Sequence, residues 1–230
     1  MATSGISVYQ LTRDQLITAA LRKLGVLAEG QTPSAQNITD ASMALNASIA
    51  EFRGLGMPLW ARKEYTFTPV QATYTIGIGQ ALNVPYPVRL LQAIRISSGA
   101  RIDMEVKSRQ EFLTLPANTT GDPIQVNYTP GINMGTVSFW PTPLASSTTQ
   151  VTLVYQRPFE YSLNSADTFD FPEEWYNALI YKLAVLLAPE WGVPLQDRQM
   201  LKSEADEHLG MALMSGQEDG SLFIAPERRM

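Results

Sequence analysis

The sequence has 230 residues, of which 45% are hydrophobic and 17% are charged, with a net charge of −5. This length is enough for one large domain or two small domains with buried cores. Cysteine is absent, which excludes disulfides, thiolate nucleophiles and cysteine-ligated metal centres. The longest apolar run, residues 178–188, is shorter than the roughly 20 residues that cross a bilayer, and the N-terminus lacks a secretory-signal pattern. We therefore expect a protein of a cytosol-like compartment that does not associate with membranes.

Negative charge is concentrated at the end of the chain. Residues 159–230 carry 13 Asp or Glu and five Lys or Arg. No basic stripe is present, so tight binding of DNA or RNA is not expected. The acidic third has two interpretations, which the sequence leaves open. It is either an ordinary solvated face or the wall of a passage through which DNA slides, because a negative wall repels phosphate.

The first predicted helix begins at a capping box. Thr12 and Gln15 are placed so that each side chain accepts a hydrogen bond from the other residue's backbone N–H. Gly25 supplies a left-handed residue that ends the helix. Between these signals, one apolar stripe follows the helical repeat: Leu16, Ile17, Ala20, Leu21 and Leu24.

A second helix is predicted to open at Thr32-Pro33, because proline at the first helical position costs no hydrogen bond. Gly54 and Gly56 end it. Its buried face is expected to contain Ile38, Ala41, Leu45, Ile49 and Phe52. Two paired helices rarely form a stable core alone, so we expect further elements to cover them.

After residue 63 the apolar pattern changes to the two-residue repeat of half-buried strands. The runs with this pattern are 65–67, 74–78, 90–96, 124–128, 137–139 and 151–155. Clusters of Pro, Gly and Ser separate them, and residues 108–113 are predicted to form a short helix. The turn spacing predicts an antiparallel β-sandwich or small barrel of about six to eight strands.

Helical periodicity returns at Pro172. Glu173 and Glu174 lie in the first turn, where negative charge complements the helix dipole. The run up to Ala188 is apolar nearly all round, so we expect it to be the most buried helix. A last helix is predicted over residues 195–214, with Lys202, Glu204, Asp206 and Glu207 in solvent and a buried stripe of Leu201, Ala205, Leu209 and Leu213.

The order of these elements predicts an α+β fold. Residues 1–62 and 159–216 would form a four-helix domain built from both ends of the chain. The β-sandwich or barrel at 63–158 would be inserted between them, and residues 217–230 would form an extended tail.

Residues with catalytic potential are few. His208, the only histidine, lies beside Glu204 and Glu207, and a His–Glu pair can act as a general base with its orienting group. The favoured interpretation is a surface histidine in an acidic helix, because no further catalytic or metal-binding partners accompany it.

Three other motifs also have structural explanations. Gly77-Ile-Gly79 begins like a dinucleotide-binding loop but lacks its third glycine, so we predict a hairpin turn. The carboxylates of Glu173 and Glu174 are explained by the helix dipole. Four tryptophans suggest carbohydrate stacking, but their positions at element boundaries favour packing: Trp60, Trp140, Trp175 and Trp191. We therefore predict no catalytic, cofactor or metal site, and a protein that is not an enzyme.

The tail contains a short apolar segment, Leu222-Phe223-Ile224, after a break rich in Gly, Glu and Asp. Such a segment is predicted to bind another chain, as an added strand or in a groove. The alternative is a tail that folds back on its own helices.

Two segments resemble the head-to-tail adaptor proteins of short-tailed bacteriophages, of the tail-tubular and packaged-DNA-stabilisation type. They are LTRDQLITAALRKLGVLAEGQTPSAQNITDASMALNASIAEFRGLGMPLW and FDFPEEWYNALIYKLAVLLAPEWGVP. The family places a β-region between two such helical halves. The pattern consists of capped helices with Trp, Pro and Gly at their ends and contains no catalytic signature.

This resemblance implies a dodecameric ring below the portal that seals the packaged genome and offers a docking surface to the tail or nozzle protein. DNA would pass through its channel without sequence-specific binding. The location would be the virion neck, after assembly in the host cytoplasm. Because a C-terminal segment often contacts the portal in this family, the resemblance gives Leu222, Phe223 and Ile224 a portal-binding role.

Two other functions remain open from the sequence. The β-domain could belong to a tail-associated binding module that recognises a glycan or another tail protein. The four Trp and nine Tyr of the chain would suit such binding. A carboxylate-dependent cell-wall hydrolase is a weaker alternative, in which His208 and Glu174 would be essential.

Overall fold

The computed structural model describes residues 9–54, 59–145 and 148–216. In chain order its elements are α1 (Arg13–Lys23), α2 (Ala35–Phe52), β1 (Arg62–Phe67), β2 (Thr73–Ile76), β3 (Arg89–Ser97), β4 (Ala100–Lys107), α3 (Arg109–Leu113), β5 (Gln125–Pro130), β6 (Gly135–Trp140), β7 (Gln150–Gln156), α4 (Tyr176–Leu187) and α5 (Leu195–Ser215). The predicted α+β class is confirmed. The chain divides into two compact units, one formed by Met1–Leu59 with Glu160–Met230 and the other by Trp60–Phe159.

Helix α1 begins at the predicted capping box. The Thr12 N–H donates to Gln15 Oε1 at 3.0 Å, and the Gln15 N–H donates to Thr12 Oγ1 at 3.4 Å. Gly25 follows with a φ of +71°, a conformation that glycine adopts without strain. The predicted stripe is buried at Leu16, Ile17, Ala20 and Leu21, whereas Leu24 is half-buried.

The predicted start of α2 at Thr32-Pro33 is wrong. Ser34 is the N-cap, and its hydroxyl accepts a hydrogen bond from the Asn37 N–H at 3.2 Å. Pro33 therefore lies before the helix. A serine cap satisfies one of the free N–H groups of the first turn, and this favours Ser34 as the boundary. The buried face contains Ala41, Leu45, Ile49 and Phe52 as predicted, together with Ser48.

Helix α4 is the most buried helix of its unit, as its apolar sequence predicted. A 3₁₀ turn at Glu173–Trp175 precedes it. Its buried residues are Tyr176, Ala178, Leu179, Ile180, Leu183, Ala184 and Leu187. Helices α1, α2 and α5 all contact α4. Because α4 has neighbours on several sides, an all-round apolar sequence suits its position.

Helix α5 confirms the predicted helix at 195–214 but buries fewer large residues than expected. Its buried residues are Ala205 and Ala212. The leucines of the predicted stripe, Leu201, Leu209 and Leu213, are half-buried. Small alanines at the contact let α5 approach α4 closely, and the leucines cover the rim of the contact.

The strands form one seven-stranded sheet in the order β1-β7-β3-β4-β5-β6-β2. Its ends approach one another, because the Phe67 ring of β1 lies 5.2 Å from the Tyr74 ring of β2. The sheet is therefore curled around its own core. That core contains Tyr74, Ile76, Leu82, Ala93, Met104, Val126, Val137, Phe139, Val151, Leu153 and Tyr155.

The predicted antiparallel arrangement is corrected at one place. Strands β4 and β5 are parallel, with Val106 opposite Val126. The crossover that parallel pairing requires contains the predicted short helix α3. Its N-cap is Ser108, which forms a capping box with Glu111. The structure is thus one curled mixed sheet, which is closer to the predicted small barrel than to the antiparallel sandwich.

Strand β4 itself was missed. Met104 is its only buried residue, so its sequence lacks the alternating apolar pattern that marks a strand. It is joined to β3 by a two-residue turn in which Ser98 and Gly99 have φ values of 51° and 82°. Positive φ at both positions defines a turn whose twist matches that of a hairpin.

Stability should fall at alkaline pH because of Tyr128. Burial raises the pKa of this tyrosine from 10.0 to about 12, and its hydroxyl donates to the Pro87 carbonyl. The unfolded chain loses this proton first, so the contribution of Tyr128 to stability is complete below about pH 10 and is lost between about pH 10 and 12. We expect Tyr128→Phe to make the loss of stability over this range shallower, as measured by urea unfolding at several pH values.

In Tyr128→Phe, the free energy of unfolding should still fall somewhat with rising pH, since burial also raises the pKa of Tyr155 and of Tyr176. Tyr161→Phe is the control, because this ring is 44% exposed. An unchanged slope in Tyr128→Phe would show that Tyr128 titrates alike in the folded and unfolded chains.

Candidate assembly surface

The predicted portal-binding residues Leu222, Phe223 and Ile224 lie outside the described residues, as does the whole predicted tail at 217–230. The described part of the chain therefore bears on function through its other surfaces.

His208 takes part in packing between helices. Its ring stacks on Tyr181 of α4, with 4.8 Å between centroids and 27° between planes. The Tyr181 hydroxyl in turn accepts a hydrogen bond from Lys23 Nζ at 3.0 Å. Within the described chain, no hydrogen bond joins His208 to Glu204 or Glu207. This arrangement links α1, α4 and α5 and differs from that of a general base held by a carboxylate.

The Gly77-Ile-Gly79 motif is a turn but not the predicted hairpin, because β2 pairs with β6 and the next strand, β3, pairs with β4 and β7. It follows β2, and the Gly79 N–H donates to the Asn83 side chain at 2.8 Å. The carboxylate of Glu173 accepts a hydrogen bond from the Tyr9 N–H at 3.0 Å. The first motif therefore forms a local turn, whereas Glu173 joins the segment before α1 to the start of α4.

The four tryptophans differ in exposure. Trp175 is 1% exposed, Trp60 stacks on Phe159 at 4.8 Å, and Trp140 Nε1 donates to the Pro116 carbonyl at 2.9 Å. These three have the predicted packing role. Trp191 is 38% exposed and lines a surface groove instead.

Among residues 9–54, 59–145 and 148–216, no three His, Asp or Glu side chains are grouped as a metal site would require. Within the same ranges, no helix has both the length and the apolar character to cross a membrane.

A groove of about 500 Å³ runs along the outer side of α1. It is lined by Tyr9, Leu11, Asp14, Gln15, Thr18, Ala19 and Arg22. Tyr9 forms one wall, fixed by its hydrogen bond to Glu173 and by an edge-on contact of its ring with Tyr176 at 6.3 Å. Asp14 is paired with Arg13 at 2.9 Å, so Arg22 is the exposed charge of this groove that lacks a compensating partner in the described chain.

A loop supports the start of α1. The Arg13 N–H donates to the Asp167 carbonyl at 2.9 Å, and Arg13 Nη1 donates to the Leu163 carbonyl at 2.6 Å. The Asp167 carboxylate accepts the N–H groups of Asn164 and Leu163. The hydrogen bonds from Asn164, followed by that from Leu163, hold the pKa of Asp167 below its ordinary value. This network fixes the orientation of the residues that line the groove.

A second groove, of about 700 Å³, lies where the α1–α2 and α4–α5 loops meet. Its apolar lining contains Leu24, Val26, Trp191, Val193, Pro194, Met200 and Leu201. Leu195, nearby in sequence, is 69% exposed. Exposed apolar side chains grouped in this way are typical of interaction surfaces.

The outer side of α5 carries a third feature, which we call the α5 stripe: Met200, Glu204, Glu207, Met211 and Met214. The three methionines are 68%, 55% and 75% exposed, respectively, and both glutamates are exposed as predicted. The spacing of four, three, four and three residues places all five side chains on one face of the helix. The sequence contained this signal, but it was overlooked because the prediction looked only for a buried stripe.

A comparison with protein families places the chain among bacteriophage adaptor proteins, which are structural proteins of the head–tail junction. The matching family model is described as SU10 adaptor protein, it covers residues 11–225, and the chain belongs to this family. The resemblance to phage head-to-tail adaptors is thereby confirmed. No curated protein matches the chain.

Proposed function

We propose that this adaptor forms a dodecameric ring between the portal and the tail, where it seals the packaged genome and provides the docking surface for the tail or nozzle protein. The observation that carries this proposal is the family match over residues 11–225. The exposed apolar surfaces of the helical unit support it, because subunits of a ring need side-to-side contacts on two different faces.

The two parts of the chain would have different roles. Residues 1–62 and 159–216 would form a four-helix domain that builds the ring, and residues 63–158 would form the β-domain. Packaged DNA would pass through the channel without sequence-specific binding.

The apolar segment Leu222-Phe223-Ile224 is proposed to bind the portal. Removal of residues 217–230 should then weaken portal docking by at least tenfold, which corresponds to about 1.4 kcal/mol. The measurement is the mass of the complex formed when full-length or truncated chain is added to the portal ring of the same phage. The full-length chain should join the portal in a fixed number of copies.

A matched variant separates the apolar segment from the rest of the tail. Replacing Leu222, Phe223 and Ile224 by serine should reproduce the effect of truncation, whereas replacing Glu218 and Asp219 by serine should leave docking intact. Equal docking of truncated and full-length chains would remove the portal-binding role of the tail. A full-length chain that ignores the portal would contradict the proposed function itself.

A further inference from the structure

We propose that the α5 stripe of one copy packs into the α1 groove of the next copy, with the two helices antiparallel. This inference rests on the proposed ring, for which it names the contacting faces. The groove and the stripe both lie in the helical unit, and α1 and α5 each pack on α4. Each therefore turns its outer face away from the same central helix, so one copy can present both faces at once. A ring is built from such unlike faces.

The charges of the two faces are complementary. Glu204 and Glu207 lie in the middle of the stripe, and neither has an ion pair in the described chain. Among the described residues, Arg22 is the groove cation that lacks an ion-pair partner, because Asp14 is paired with Arg13. Placing Arg22 against Glu204 and Glu207 gives all three charges a partner. A stripe-to-stripe contact between two copies would instead bring four carboxylates together, which is unfavourable.

The apolar residues match when the helices are antiparallel. Seven residues, about 10 Å of helix, separate Arg22 from Gln15, and the same distance separates Glu204 from Met211. With Arg22 opposite the glutamates, Met211 and Met214 then reach the part of the groove that Tyr9 and Leu11 wall. The parallel orientation would instead bring Asp197 towards Asp14.

The floor of the groove suits flexible methionine side chains. Thr18 and Ala19 are small and half-buried, which leaves room between Tyr9 and Arg22. Methionine is unbranched and adapts to irregular spaces, and its sulfur makes favourable contacts with aromatic rings such as Tyr9. A bare acidic wall facing DNA would not need three exposed methionines, so the stripe fits a protein contact better.

Charge exchange between the two faces provides the test. Arg22→Glu alone and Glu204→Arg/Glu207→Arg alone should each reduce the assembled fraction at least tenfold, because each makes one face repel its neighbour. An equimolar mixture of these two variants should assemble again, since each mismatched face then finds a complementary one on the other variant. The measurement is the mass of the full-length chains, alone and with the portal ring.

Glu64→Arg/Glu190→Arg is the control, with the same change in charge at exposed residues away from the stripe, and it should assemble like the original chain. Circular dichroism checks that every variant is folded. Assembly of the single-face variants at the original level, or failure of the folded mixture to assemble, would overturn the proposed contact while leaving the ring intact. An original chain that neither forms a ring nor joins the portal would instead refute the proposed function.

Cysteine cross-linking gives an independent result, because the natural chain has no cysteine. Thr18→Cys mixed with Met211→Cys should form covalent dimers on oxidation, at least tenfold more than either variant alone. Equal yields from the mixture and from the separate variants would also overturn the contact.

Discussion

Replacing Trp175 by alanine is expected to lower the free energy of unfolding by about 3–5 kcal/mol. The side chain is 1% exposed, and its ring lies 5.8 Å from both Phe52 and Phe171. The replacement removes the apolar area that Trp175 buries and leaves a cavity that its neighbours fill only in part. Urea unfolding, followed by circular dichroism, measures the change.

Trp191→Ala provides the control for this experiment. The Trp191 side chain is 38% exposed and lines the second groove, where the α1–α2 and α4–α5 loops meet. Its loss should therefore change the free energy of unfolding by less than about 1 kcal/mol. Amide hydrogen exchange in Trp175→Ala should become faster in α2 and α4, because the Trp175 ring joins these two helices. Similar losses in the two variants would mean that the Trp175 cluster does not dominate the helical core.

Local signals account for the parts of the fold that were predicted correctly. The capping box of Thr12 and Gln15 and the left-handed Gly25 act within a few residues of one another, so their geometry follows from the sequence alone. The same is true of the Ser108–Glu111 box that starts α3. The start of α2 failed because Thr32-Pro33 and Ser34 are competing signals, and the direct hydrogen bond to the Asn37 N–H decided between them.

Long-range pairing explains the errors in the sheet. Strand β4 buries Met104 alone, so its pattern matches that of a polar loop. Its parallel pairing with β5 depends on the crossover through α3, and periodicity carries no information about strand direction. Prediction from local pattern therefore gave the α+β class and most of the strands but an incorrect sheet arrangement.

The assembly surfaces were only partly predictable. The apolar tail segment at 222–224 was found because an apolar run after a polar break is visible in the sequence. The α5 stripe was missed because exposed methionines look like core residues until the buried face of the helix is known. The α1 groove depends on the contact between Tyr9 and Glu173, which are 164 residues apart, and no local pattern reports such a contact.

Phe139→Ala should lower the free energy of unfolding by about 3–5 kcal/mol and loosen the curl of the sheet. Phe139 of β6 is 2% exposed, and its ring lies 6.0 Å from Phe67 and 6.2 Å from Tyr74. These rings belong to β1 and β2, which stand at opposite ends of the strand order. Phe139 thus joins two edges that lie far apart along the hydrogen-bonded sheet.

The reason for this large effect is that aromatic contacts bring these edges together, since β1 and β2 are not neighbours in the hydrogen-bonded order. Hydrogen exchange in Phe139→Ala should therefore increase most in β1 and β2, with smaller changes in β3 and β7, which pair along their length. Ile132→Ala is the control, because its side chain is 91% exposed and its loss should change stability by no more than about 0.5 kcal/mol. If hydrogen exchange in Phe139→Ala rose equally in all strands, the sheet would unfold as one unit. The contacts among the rings of Phe67, Tyr74 and Phe139 would then not stabilise the β1 and β2 edges in particular.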